Sequence, residues 1–336
     1  MTKEKVVVVG AGGIAGAWFP RLIAEKLRVA AVVDLHLKAA EDKIAQYGLD
    51  AEASTSLKSV LKRHKPDFVL DLTVPESHCK VTCTALNSGC HVLGEKPMAS
   101  SISEARRMLK ASEETGKLFM VSQSRRWNPR HESIQHTVSS GRIGEVTTLC
   151  CDFFLGAHFG GFRDQMSSPL ILDMAIHHFD LARYLIDKDP VSVFAMEFNP
   201  KGSWYKGDVS ASCIFQMTDN VVFTYRGSWC SEGCPTSWNG NWRIIGTRGT
   251  LLYERDQAPH GQVLAGNTGF NRPLKDLTVC KERLKYAEMH GALREMLSFL
   301  RTGKQPQTEC HDNIRSLSMV FGVIQSHSLG RRISLS

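Results

Sequence analysis

The chain has 336 residues, 42% hydrophobic and 22% charged, which is ordinary for a globular protein of roughly two domains. Its net charge of +7, from 41 basic and 34 acidic side chains, is spread without a basic block, so composition gives no nucleic-acid signal. Ten scattered cysteines argue against a disulfide scaffold, and with no Cys-x-x-Cys pair no structural metal site is expected. The short apolar run near Met1 does not read as a signal peptide, and no apolar run reaches membrane-spanning length, so a cytoplasmic protein without membrane contact is expected.

Val6 to Val9 reads as a fully buried parallel strand. Gly10-Ala-Gly12-Gly13-Ile14-Ala15 follows at once and opens a helix to about Lys26. This is a G-x-G-x-x-G/A dinucleotide fingerprint. Gly10 allows the tight turn, Gly12 lets backbone approach a pyrophosphate, and Ala15 keeps the helix close to the sheet. Amides at the helix start, around Gly13 and Ile14, are donors for the anion. A second strand, Val29 to Val33, ends at Asp34, where a carboxylate can accept ribose hydroxyls and repel a 2′-phosphate. NAD is therefore expected over NADP.

Helices are expected over Leu37 to Tyr47 and Ser56 to Arg63, then a strand over Phe68 to Leu72. Thr73-Val74-Pro75 at its carboxyl end is placed to touch the dinucleotide, while His78 either caps the next helix or meets cofactor. Val92 and Leu93 centre another strand that delivers Glu95-Lys96-Pro97 to the same edge of the sheet. Ser101-Ile-Ser-Glu104 is a capping box for a helix ending at Gly116, and Leu118 to Val121 is a fifth strand. The fold class is α/β: a doubly wound parallel Rossmann sheet over residues 1–122.

The rhythm then changes. Arg126 and Trp127 follow the crossover, where they either line a substrate cleft or pack under the helix that starts near Pro129. A strand is expected over Val146 to Leu155, then a glycine-rich loop carrying His158, Phe162 and Arg163. On the helix after Pro169, Asp173 and His177 share a face with Asp180 about one turn further on, and His178 points elsewhere. Strands are expected over Val191 to Glu197, Ser210 to Met217, Val221 to Ser228, Asn241 to Gly246 and Thr250 to Tyr253, with helices over Lys281 to Arg301 and Asn313 to Ser328. Residues 123–336 thus read as an α+β domain with a mainly antiparallel open sheet, which binds substrate and forms the oligomer interface.

Gly10-x-Gly12-x-x-Ala15, Asp34, Thr73-Val-Pro75-x-x-His78, Gly89-x-His91-Val-x-x-Glu95-Lys96-Pro97 and Asp173-x-x-x-His177-x-x-Asp180 occur in one order along nearly the whole chain. In that order and spacing the sequence resembles the glucose–fructose oxidoreductase/inositol dehydrogenase/MocA family. The resemblance implies an NAD(P)-dependent oxidoreductase acting on a secondary hydroxyl of a sugar, sugar derivative or cyclitol. A glycoside 3-dehydrogenase and a non-catalytic NAD sensor are the alternatives. It assigns catalysis to Lys96, Asp173 and His177, with no metal, and leaves open whether Lys96 or His177 takes the proton. The cofactor set is then Gly10, Gly12, Gly13, Ile14, Ala15, Asp34, Thr73, Val74, Pro75, His78, Glu95 and Lys96. The substrate set is Lys96, Arg126, Trp127, His158, Asp173 and His177, in a homodimer or homotetramer joined through the second sheet. Pro169-Leu170 and Ala175 stand where many relatives carry glycine, next to the catalytic helix.

Overall fold

The computed structural model describes residues 4–335, and they form two compact units. In the first, β1 (Lys5–Val9), α1 (Ala15–Ala24), β2 (Arg28–Val33), α2 (Leu37–Tyr47), β3 (Glu52–Ser54), α3 (Leu57–His64), β4 (Phe68–Asp71), α4 (Pro75–Asn87), β5 (His91–Gly94), α5 (Ile102–Thr115) and β6 (Phe119–Val121) alternate along the chain. The strands are short valine- and leucine-rich runs buried on both faces, so they pair in parallel as β3-β2-β1-β4-β5-β6. The strand order reverses between β1 and β4, and Gly10 and Thr73 leave the sheet at the carboxyl ends of those two strands. That is where an open α/β sheet forms its ligand crevice. Ser101 caps α5 by accepting the Glu104 amide at 3.2 Å, and Gly116 closes it at φ +62°. The edge strand β3 was not expected: its three residues, Glu-Ala-Ser, carry no apolar signal.

The second unit contains α6 (Pro129–Ser139), β7 (Val146–Phe154), a short α7 (Phe162–Gln165), one π-helical stretch (Leu170–Ala175) and α8 (Ile176–Ile186). Strands β8 (Pro190–Phe198), β9 (Ser210–Met217), β10 (Val222–Ser228), β11 (Asn241–Gly246), β12 (Gly249–Tyr253), β13 (His260–Leu264) and β14 (Leu274–Asp276) follow. With the terminal β15 (Ile333–Ser334) they form one sheet in the order β14-β13-β12-β11-β7-β10-β9-β8-β15. Every pairing is antiparallel except β7 with β10. Its inner face, including Phe153, Phe215, Phe223, Tyr225 and Trp242, packs with Phe179 and Leu181 of α8. Its outer face exposes Phe194, Met196, Phe198 and Ile214.

The boundary differs from the one expected. Among the described residues, the first unit comprises 4–124 and 288–314, the second 125–287 and 315–335. The reason lies in α9 (Glu288–Thr302), which docks on α1: His290 and Arg294 both bind the Glu25 carboxylate, at 2.7 and 2.8 Å. Thr308 then pairs with Val121, donating its hydroxyl at 2.7 Å and accepting the Val121 amide at 3.0 Å. The helix expected from Lys281 starts seven residues later, at Glu288, whose φ of +53° breaks helical geometry. The last helix, α10 (Cys310–Leu329), is longer than expected.

Candidate active site

The nucleotide half of the site is built from backbone. Gly10 has φ +98°, and a Cβ there would lie 2.7 Å from the Leu72 carbonyl oxygen, so only glycine fits the turn. Gly12 and Gly13 are exposed, and a Cβ at either would meet nothing within 4 Å. α1 has no side-chain N-cap; the Ala15, Gly16 and Ala17 amides bond back to the Gly12, Gly13 and Ile14 carbonyls at 3.2, 3.1 and 3.0 Å, and the exposed residues Gly12, Gly13 and Ile14 leave the turn before them open to solvent. Ala15, by contrast, is fully buried against the sheet. The Asp34 carboxylate is fixed by two amides: Ala11 N–H donates at 2.8 Å and His36 N–H at 2.9 Å. A close backbone turn, an open helix start and an oriented acceptor together fit a dinucleotide.

Other members of the expected cofactor set are committed elsewhere. Glu95 is buried and accepts the Trp18 indole N–H at 2.7 Å, tying β5 to α1; burial pushes its carboxyl up. His78 is 2% exposed, with Nδ1 2.9 Å from the Pro97 carbonyl and Nε2 2.9 Å from that of Thr73. It therefore joins the loop after β4 to the loop carrying Lys96, inside the protein. Thr73 turns its hydroxyl to Asp71, donating at 2.6 Å, while Val74 and the start of α4 at Pro75 stand at the surface. Lys96 is half-buried, and its bond to Pro97 is cis.

In the second unit, Asp173 lies in the π-helical stretch and His177 in the first turn of α8. π-Turns recur at functional sites because the extra residue re-aims side chains. Arg163 Nε donates to Asp173 Oδ2 at 2.6 Å, with its guanidinium 5.0 Å from the Phe159 ring centre and 4.7 Å from that of Phe162. The sequence pointed to this loop but not to its tie to Asp173. Asp180 does not share the Asp173–His177 face: it is 1% exposed, and Arg126 binds it bidentately at 2.7 and 2.8 Å. Ser316 adds a hydroxyl donor to the same carboxylate at 2.8 Å. A carboxylate inside the apolar run Phe179-Asp180-Leu181-Ala182 demands a cation, the one signal that could have foretold this pair.

Arg126 and Trp127, both expected at substrate, are thus core residues at 5% and 2% exposure. His158 is exposed, stacked on Trp204 at 3.7 Å and paired with Glu232 at 2.9 Å. His178 is wholly buried among Phe153, Tyr225 and Trp242, and burial holds it well below the usual imidazole range, so it is a neutral core ring. Trp229 and Trp242 are core, while Trp238 is half-exposed. Among the described residues no helix is long and apolar enough to cross a membrane.

Comparison with known proteins agrees with this geometry. Residues 4–123 match the oxidoreductase family with an NAD-binding Rossmann fold, and residues 131–252 match the GFO/IDH/MocA C-terminal domain. An inositol 2-dehydrogenase of Rhizobium meliloti is 24% identical over 92% of this chain and 92% of its own. A 1,5-anhydro-D-fructose reductase of Ensifer adhaerens is 25% identical over 96% of each. The crystal structure of an oxidoreductase from Agrobacterium radiobacter in complex with NAD+, L-tartaric acid and magnesium has the same fold, with a TM-score of 0.86, 21% identity and 99% coverage of both chains. The chain belongs to the glucose–fructose oxidoreductase/inositol dehydrogenase/MocA family of oxidoreductases.

Proposed function

We propose that the protein is an NAD-dependent dehydrogenase of a secondary hydroxyl on a sugar, sugar derivative or cyclitol. The observation that carries the cofactor choice is the Asp34 carboxylate, held by the Ala11 and His36 amides beside the glycine turn. Held in that way it suits two ribose hydroxyls and opposes a 2′-phosphate. Gly12, Gly13 and Ile14 at the start of α1 would hold the pyrophosphate. When bound, the dinucleotide supplies the hydride acceptor.

The chain's own groups supply the rest. His177 takes the hydroxyl proton as hydride leaves the carbinol carbon, the role for which imidazole is suited near neutral pH. Lys96 donates to the reacting oxygen and stabilises its alkoxide character, most effectively where water is excluded. Asp173 accepts a neighbouring substrate hydroxyl, and Arg163 keeps that carboxylate in one orientation. The support for this set is the family membership together with the placement of Asp173 and His177 on the π-to-α junction.

A panel of cyclitols, aldoses and sugar derivatives with NAD or NADP, followed at the reduced-nicotinamide absorbance, tests the reading. Turnover of at least one polyol with preference for NAD is expected; no turnover of any member with either cofactor contradicts it. Asp34→Ala should weaken NAD and lower the NAD/NADP preference by about tenfold or more, the order of one lost charge-assisted hydrogen bond. An unchanged ratio would remove Asp34 from cofactor selection. We further propose that the apolar outer face with Phe194, Met196, Phe198 and Ile214 is covered by a second copy. Sedimentation as a monomer would overturn that.

A further inference from the structure

A cluster in the first unit, apart from the residues assigned above, has the composition and spacing of a metal centre. Glu309, Cys310 and His311 lead into and open α10, and each offers one ligand atom, all three within 4.8 Å of one another. Glu309 Oε2 is 2.7 Å from His311 Nδ1. Cys310 Sγ is 3.6 Å from that nitrogen and 3.8 Å from that oxygen. Ligand atoms held about 2.0–2.3 Å from a tetrahedral ion stand about 3.3–3.5 Å apart. The two sulfur separations therefore fit to within about 0.3 Å of that geometry. The carboxylate and imidazole must part by only about 0.6 Å as an ion replaces the proton they share.

A second feature points the same way. The other ring nitrogen, His311 Nε2, faces Glu113 Oε1 of α5 at 2.9 Å. Metal-bound histidines hand their far N–H to a carboxylate in this manner, which fixes the tautomer and strengthens the ligand. Cys310 is 1% exposed, so its sulfur lies inside the protein beside the other two groups. His311 is half-exposed and gives an ion a route in.

We propose that Glu309, Cys310 and His311 bind one zinc-like divalent cation, with Glu113 behind the imidazole and water in the fourth position. Thiolate, imidazole and carboxylate together select a borderline-soft tetrahedral ion. One dication with one thiolate and one carboxylate is charge-neutral, and the protons of the thiol and of Nδ1 leave to solvent. The ion would fasten the start of α10 to the end of α5. The absence of a Cys-x-x-Cys pair does not bear on this site, because its ligands are consecutive and the supporting carboxylate is distant in sequence.

The test uses the full chain, stripped with chelator and titrated with Co²⁺, then with Zn²⁺ in competition. One equivalent of tetrahedral Co²⁺ with a thiolate charge-transfer band is expected, displaced by Zn²⁺. Cys310→Ser should lose the band, and Glu113→Gln should weaken binding about 10–100-fold. Cys310 is buried, so the exposed His311→Gln provides an independent arm: Zn²⁺ should raise the melting temperature of the wild type and not of this variant. A thiolate-free octahedral spectrum, no binding near equimolar metal, or an unchanged spectrum in Cys310→Ser would each overturn the site.

Discussion

His177→Ala is expected to lower kcat by about 10²–10⁴-fold while NAD affinity stays near that of the wild type, because in the proposed mechanism it removes the proton acceptor of the transition state. Lys96→Met lowers kcat by about 10²–10³-fold, the usual loss for one preorganised donor to a developing oxyanion. In the proposed mechanism both groups serve the reacting hydroxyl, so the double variant should lose less than the product of the single effects. Steady-state kinetics with a turned-over polyol, together with NAD titration by nicotinamide or protein fluorescence, measures all three quantities. Near-normal turnover in both single variants would dismiss the mechanism. If only Lys96→Met were impaired, the proton would pass to a group other than His177.

Asp180→Ala is expected to destabilise the second unit by about 3–5 kcal/mol, because it removes the carboxylate that a buried guanidinium binds bidentately. Arg126 is 6% exposed in its side chain and Asp180 1%, so solvent cannot take over the lost partner. The Ser316 hydroxyl loses its acceptor as well, and Arg183, whose Nη1 donates to that hydroxyl at 2.8 Å, loses a carboxylate 4.0 Å away. A drop in melting temperature of about 10 °C is the expected reading for a unit of this size. Arg126→Met together with Asp180→Leu should recover part of the loss, since a buried pair replaced by apolar groups of similar volume is close to neutral. A melting temperature within about one degree of wild type in Asp180→Ala would show that the pair contributes nothing.

Much of this molecule is written locally. A valine run, a glycine turn and an aspartate one strand later mark the expected nucleotide half by residue type and spacing alone. The capping serine and closing glycine of α5 are local in the same sense. β3 escaped notice because a three-residue edge strand buries too little to leave a pattern. The late start of α9 and its docking on α1 escaped because Glu25 and its partners lie more than 260 positions apart.

In the site, residue types were legible and their commitments were not. Nothing near Arg126 announces that Asp180, 54 positions on, will take its guanidinium. Glu95 meets Trp18 across 77 positions, and His78 spends both ring nitrogens on carbonyls. Such pairs are settled by tertiary packing, which brings a buried charge or polar group to its partner regardless of spacing. Asp173 and His177 were legible as a pair four positions apart, but the π-helical stretch that holds Asp173 ahead of α8 was not.

Direct hydride transfer from a polyol carbinol is the step on which the proposed function rests. A polyol deuterated at its carbinol carbons, turned over with unlabelled NAD, tests it by mass spectrometry of the reduced dinucleotide. One deuterium in each molecule of reduced nicotinamide is the expected result. Reduced nicotinamide free of deuterium, or label lost to water, would contradict it.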